Sequence, residues 1–124
     1  MPYFDGFVIA VPTANKDKFI AHAKKGDSVF TDFGATRVVE TWQDNVPRGH
    51  TTDFQGAVEA KDHESIVFSW IEWPDKATRD AAMAKMMSED FKDDRMDMEK
   101  NPMPFDGKRL IYGGFSPITD LKGE

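Results

Sequence analysis

A histidine beside an apolar helical stripe, two cations at the entrance of a short strand and a set of tryptophans are the side chains here with chemistry to offer. Between Asn15 and Phe33, Phe19, Ala23, Gly26, Phe30 and Phe33 recur at steps of 4, 3, 4 and 3, the period of one helix face. At 100° per residue, His22 falls about 60° from the centre of that stripe, on the border of a groove between helix and sheet. An imidazole there could serve as general base or proton shuttle; the competing reading is a boundary histidine bonded to a backbone carbonyl. Arg109, with Lys108 beside it, could receive a carboxylate or an enolate. Together His22 and Arg109 are the candidate catalytic pair.

Several further residues could shape a ligand site. Gly26 sits mid-stripe, where glycine costs about 1 kcal/mol relative to alanine. Close approach of helix to sheet would offset that, and so would space left for a ligand. Trp42, Trp70 and Trp73 offer flat surfaces to an aromatic ligand, or simply bury large area in a core or a subunit contact. Within the strand pattern Trp70 shares parity with Phe68 and Glu72, whereas Ser69 and Trp73 point the other way, so Ser69 suits a pocket wall. Arg37, Glu40, Glu72 and Arg109 are charges in or beside predicted strands, where burial demands partners; structural ion pairs across the sheet or a dimer interface compete with ligand binding at all four, Arg109 included. Met83, Met86, Met87, Met96, Met98 and Met103 place six of the seven methionines in one region, as pliable lid or core filler. Asp44, His50, Asp53 and His63 match no metal-ligand spacing, so no metal and no cofactor is expected.

The elements that must position these residues can be read in order. Phe7 to Val11 is a continuous apolar run closed by Pro12, a buried strand within a strand-like Tyr3 to Val11. The helix from Asn15 stops at Gly34, as a C-terminal glycine with positive φ would stop it. Ala35 to Trp42 reads as strand, Gln43 to Thr52 as loop, and Phe54 to Ala60 as a short ribbon. Ser65 to Trp73 is the strongest strand signal, dense in β-branched and aromatic residues. Asp75 caps a helix running from Lys76 to Ser88. Glu89 to Lys100 reads as a short helix or ordered loop, and Asp106-Gly107 as a turn into a strand at Leu110 to Tyr112, closed by the paired glycines. The order β-α-β-β-α-β is the split βαβ arrangement: an α+β fold with an antiparallel sheet and both helices on one face.

A sheet with one wet face alternates apolar and polar residues, yet Phe7 to Val11 and Ile66 to Ile71 are apolar almost throughout. Two helices cover only one face. The simplest cover for the other is the same face of a second copy, so a homodimer is expected.

Composition limits the partners. The 124 residues fit a single domain, 1–124, and 16 Lys+Arg against 22 Asp+Glu give a net charge of -6 with no basic run. That balance disfavours nucleic acid and anionic membrane surfaces. With no cysteine there are neither disulfides nor thiolate metal sites, and no apolar run is long enough for a signal peptide or a span, which points to the cytoplasm.

The segments Asp5-Gly-Phe-Val-Ile-Ala-Val-Pro12, Arg37-Val-Val-Glu-Thr-Trp42, Thr52-Asp-Phe54, Val67-Phe-Ser-Trp-Ile-Glu-Trp-Pro74, Arg79-Asp80, Lys85-Met-Met87 and Met103 to Phe115 span almost the whole chain. Through them it resembles the YbaA-like bacterial family of unknown function, within the dimeric α/β-barrel superfamily. The resemblance implies a ferredoxin-like dimer and carries no catalytic motif with it. Superfamily relatives that work on haem or aromatics keep polar residues in the helix–sheet groove. On that analogy the expected function is binding of a small organic molecule there, with cofactor-independent oxygenase or isomerase activity; the alternative is a non-enzymatic interaction dimer.

Overall fold

The computed structural model describes residues 1–124 as a four-stranded antiparallel sheet. Its strands are β1 (Tyr3–Pro12), β2 (Arg37–Trp42), β3 (Glu64–Trp73) and β4 (Ile111–Phe115), in the spatial order β2-β3-β1-β4. The helices are α1 (Lys16–Asp32), the single turn α2 (Phe54–Ala57) and α3 (Lys76–Met86). This is the split βαβ order, with the two longest, most apolar strands paired at the centre from Tyr3↔Trp73 to Pro12↔Glu64.

Register sorts the side chains by face. Tyr3, Asp5, Phe7, Ile9 and Val11 of β1 stand opposite Trp73, Ile71, Ser69, Val67 and Ser65 of β3 and point toward α1 and α3. Two core clusters lie on this side. Tyr3, Ile71 and Trp73 meet Ala35 and Ala82 at one end, and Ile9, Val11 and Val67 meet Phe19 and Ala23 at the other. On the opposite side stand Phe4, Val8 and Ala10 of β1, Ile66, Phe68 and Trp70 of β3, and Ile111 and Phe115 of β4.

Local chemistry sets the boundaries. Gly34 ends α1 with φ +111°, a conformation that side chains resist. Asp75 caps α3, its carboxylate accepting from the Thr78 amide at 2.7 Å. Asp5, only 2% exposed, accepts from Arg79 Nη2 at 2.8 Å and Nε at 3.2 Å and from Trp73 Nε1 at 2.9 Å, which fastens α3 to the sheet.

Two expectations need correction and one is narrowed. The segment Phe54 to Ala60 is not a ribbon, because Asp53 accepts from Gly56 N at 2.6 Å and nucleates α2. The stretch from Glu89 to Lys100 takes the ordered-loop alternative, with turns and a 3-10 turn at Asp94–Met96, because its aspartates bind nearby backbone amides. Finally, the glycine pair does not close β4 but lies within it: Gly114 pairs with Asp5, and a side chain there would collide with the Tyr3 ring.

The connection from β2 to β3 crosses to the side of the sheet away from α1 and α3. Val58, 1% exposed, packs on Ala10 and Ile66, and the Phe54 ring meets the Phe68 ring edge-on at 6.0 Å. It covers one end of that face only. The rest is an open apolar trough of about 470 Å³ over Phe4, Gly6, Val8, Trp70, Ile111 and Phe115.

Candidate functional site

Between α1 and the sheet lies a cavity of about 260 Å³. The β1 residues Phe7 and Ile9 form its floor, Phe19 and Phe30 of α1 its roof, and Phe105 and Leu110 close the end before β4. Four polar residues enter this apolar space: His22 and Asp27 from α1, Glu40 from β2 and Ser69 from β3. Ser69, 3% exposed, stands between Glu40 and Phe7 in the register, so the row Glu40–Ser69–Phe7 crosses the cavity floor.

His22 is where its helical phase puts it, on the cavity border. Its Nδ1 lies 3.0 Å from Asn101 Oδ1, and its ring is edge-on to Phe105 at 5.9 Å. Asn101 Nδ2 donates to the carbonyls of His22 at 3.2 Å and Arg95 at 2.8 Å, so its oxygen faces the imidazole. The network therefore assigns the proton to Nδ1 and leaves Nε2 as the basic nitrogen. The bond is to a side chain on the loop that follows α3, not to a backbone carbonyl.

Asp27 and Glu40 form the most unusual pair in the chain. Asp27 lies one turn beyond Ala23 on the buried stripe of α1, and Glu40 shares the core-facing parity of Val38 and Trp42 on β2. Glu40 Oε1 is buried and accepts no hydrogen bond from any N–H or hydroxyl group. Burial, then a hydrogen bond to Glu40 and repulsion by its charge, push the Asp27 carboxyl up to about 9. These facts agree: two ionised carboxylates could not bond, whereas protonated Asp27 supplies the donor that the Glu40 carboxylate lacks.

The same two acids line a second groove of about 410 Å³ on the outer side, between α1 and the edge strand β2. Lys16, Lys24 and Trp42 border it, with Lys16 Nζ 5.5 Å from the centre of the Trp42 ring. Asp27 and Glu40 thus stand between an open groove and the inner cavity.

The other expected site residues are dispersed. Ser69 is a cavity wall, as its parity required. Trp42 faces the helices but packs on Phe19 at 6.4 Å and borders the outer groove. Trp70 projects its indole onto the open face, where Nε1 donates to Glu72 at 2.9 Å, and Arg37 pairs with the same Glu72 at 3.6 Å. Neither side chain meets His22.

Arg109 is spent on structure. Its guanidinium donates to both oxygens of Glu64, at 2.7 and 2.6 Å, to Asp106 at 3.0 Å and to the Glu59 carbonyl at 2.9 Å. That contact holds the Glu64 carboxyl down at about 2. Arg109 thereby ties the start of β3 to the turn before β4, away from the cavity. Gly26 is buried, but a Cβ there would meet only Met96 Sδ, at 4.0 Å. Close approach to the sheet does not explain it, because α1 turns this residue toward the 3-10 turn. Met96 and Met103 do reach the cavity, while Met87 and Met98 are exposed.

Asp27 was the residue that sequence reasoning missed. The signal was available: it lies four residues after Ala23 and three before Phe30, a carboxylate inside an apolar stripe. Glu40 was visible only as one strand charge among four.

No helix is long and apolar enough to cross a membrane. Residues 2–107 match the family model described as a protein of unknown function, DUF1428. The uncharacterized protein YbaA of Escherichia coli K12 is 53% identical over 120 residues, covering 97% of this chain and 99% of its own, and the Shigella flexneri YbaA matches equally. Among solved structures, a dimeric ferredoxin-like protein from an uncultured marine organism superposes with a TM-score of 0.55 at 14% identity, over 98% of this chain and 100% of its own. That likeness speaks to the fold alone. With relatives this similar over nearly their full length, the chain belongs to the DUF1428 family of proteins of unknown function, the family of YbaA.

Proposed function

We propose that the chain forms a homodimer through the open sheet face, each protomer binding a small, largely apolar organic molecule in the cavity beneath α1, as a cofactor-independent isomerase or oxygenase. The observation that carries the ligand reading is the convergence of Ser69, Glu40, Asp27 and His22 on one aromatic-lined cavity. A cavity retained only as a packing defect has no need of four polar groups, each of which costs free energy to bury.

The dimer reading rests on the trough over Phe4, Phe68, Trp70 and Phe115. Phe68, Ile111 and Phe115 are 45, 44 and 61% exposed at the middle and edge of a sheet. A second copy related by a two-fold axis presents the same residues in return. The marine neighbour described as dimeric supports this reading.

Light scattering should give twice the 14.0 kDa chain mass at micromolar concentration; a monomer refutes the dimer. Native mass spectrometry of freshly purified protein, followed by a thermal-shift screen of small aromatic compounds, tests the cavity. A co-purified or stabilising ligand whose effect is lost when Ser69→Phe fills the cavity supports the reading, and silence in both experiments overturns it. A dimer without ligand would then be a purely structural partner, a reading that the His22–Asn101 bond favours because it uses the imidazole to anchor a loop.

A further inference from the structure

We infer that Asp27 and Glu40 are a proton-transfer pair that interconverts the tautomers of a neutral, enolisable carbonyl compound held in the cavity beneath α1. This rests on the cavity reading above and adds to it a reaction class and a substrate class.

Two carboxyl groups from different elements, α1 and β2, sit on the core-facing side of each. A structural acid in such a place brings a cation with it, as Asp5 brings Arg79 and Glu64 brings Arg109. This pair has none. Lys16 and Lys24 line the outer groove but form no ion pair with either acid, and Arg37 lies across the sheet with Glu72. The buried Oε1 of Glu40 meets no donor, and the one other acid lining both the groove and the cavity with it is Asp27, whose carboxyl proton can fill that place. Acid and conjugate base side by side are what proton relocation requires.

The step balances without oxidant or cofactor. The Glu40 carboxylate removes a proton from the carbon next to the ligand carbonyl while Asp27 gives its proton to the carbonyl oxygen. The C–H bond breaks, an O–H bond forms, and the product is the enol, with Glu40 protonated and Asp27 ionised. In the return step Asp27 takes back the enol proton as Glu40 protonates carbon, at the original position or, in a conjugated ligand, at the far end of the double bond. Both acids end as they began. His22 Nε2 and the Ser69 hydroxyl are left to orient the polar end of the ligand.

Charge selects the ligand. The cavity already carries one negative charge and lines up no cation, so a carboxylate ligand is repelled and a neutral ketone accepted. Twelve hydrophobic residues around about 260 Å³ suit a body of one or two rings.

The test uses the full-length protein and 2-tetralone, a neutral bicyclic ketone, in deuterated buffer near neutrality, with α-deuteration followed by NMR and binding by saturation transfer. Exchange should exceed the buffer rate, and Glu40→Gln and Asp27→Asn should each lower the excess by about 10²- to 10⁴-fold with binding retained. If 2-tetralone binds but wild type exchanges it no faster than Glu40→Gln, the inference fails and the cavity reading survives. If neither 2-tetralone, 1-indanone nor acetophenone binds, the cavity reading fails and takes the inference with it. A variant that does not fold is replaced by the wild-type pH profile. There the excess rate should fall at alkaline pH as the shared proton leaves, and should do so in His22→Gln, Lys16→Met and Lys24→Met as in wild type; an alkaline fall that any of these substitutions abolishes overturns it.

Discussion

Two acidic centres, one buried and one half-buried, lie on the same face of the same sheet and are built on opposite principles. At Asp5 both carboxylate oxygens accept hydrogen bonds, two from Arg79 and one from Trp73. At Asp27 and Glu40 no cation arrives, one carboxylate oxygen has no outside donor, and burial keeps Asp27 protonated far above the ordinary carboxylate range. The first arrangement satisfies a charge and joins two elements. The second keeps an acid and a base in contact beside empty space, which stability alone would not select. Compensation of the charge therefore distinguishes a fastening from a site.

The widest separation between the two centres is expected from their deletion. Asp5→Ala leaves the Arg79 guanidinium, 22% exposed, with Asp80 alone at 3.0 Å and the Trp73 indole N–H without its acceptor, and should cost about 3 kcal/mol. Denaturant unfolding measures it. Asp27→Asn should cost nothing at neutral pH or stabilise, since the amide donates to Glu40 without needing a proton. Equal losses from both substitutions would erase the distinction.

How much of this was legible beforehand follows from the physics of each signal. Strands β1 and β3, and the helix α1, announced themselves by long apolar periodicity, and the Gly34 and Asp75 boundaries by their backbone chemistry. The row Ser69–Glu40 required register, which parity gives within a strand but not between strands. That Arg109 would sit in an ion pair was legible, but its partner was not, because nothing local reveals that Glu64, 45 residues away, reaches it. The α2 turn was invisible because its stability comes from one Asp53 cap and from Val58 packing on β1 and β3, neither of them periodic. That turn also changed the dimer argument, since it covers Ala10 and Ile66 within the chain and leaves a smaller apolar face for a partner.

The open face gives the next test, because it contrasts with both acidic centres in holding exposed apolar residues and no buried charge. Phe68→Glu places a carboxylate in the middle of the trough. It should convert the dimer to a folded monomer, read as a halving of mass by light scattering with far-UV dichroism unchanged. Persistence of the dimer would move the interface elsewhere, and the exposed tail residues Ile118 and Leu121 would be the first place to look.

A gentler probe is pH. The native Asp27 carboxyl keeps its proton to about 9, whereas the unfolded chain releases it near 3.8. Between these values the native state binds more protons, so this group's contribution is fully present below about pH 4 and is lost as pH rises toward 9. Unfolding free energy of wild type should therefore decline from weakly acidic to alkaline pH, with His22 in the cavity and Lys16 and Lys24 at the outer groove as the other titrating neighbours. The Asp27→Asn profile should be flatter over that range. Parallel curves would mean that Asp27 is ionised at neutrality.

The smallest expected effect lies one residue away, at Gly26. It shares the buried side of α1 with Asp27, yet its missing side chain faces Met96 and not the cavity. An added methyl would sit 4.0 Å from Met96 Sδ, ordinary van der Waals contact, while the helix gains the propensity that glycine withholds. Gly26→Ala should thus raise stability by about 0.5 to 1 kcal/mol in denaturant titration and leave both the slope of stability with pH and any ligand shift as in wild type. That outcome would place the functional constraint on the carboxyl pair alone. If Gly26→Ala instead abolishes ligand binding while stabilising the fold, the cavity reaches beneath Met96 and the empty position at residue 26 belongs to the site.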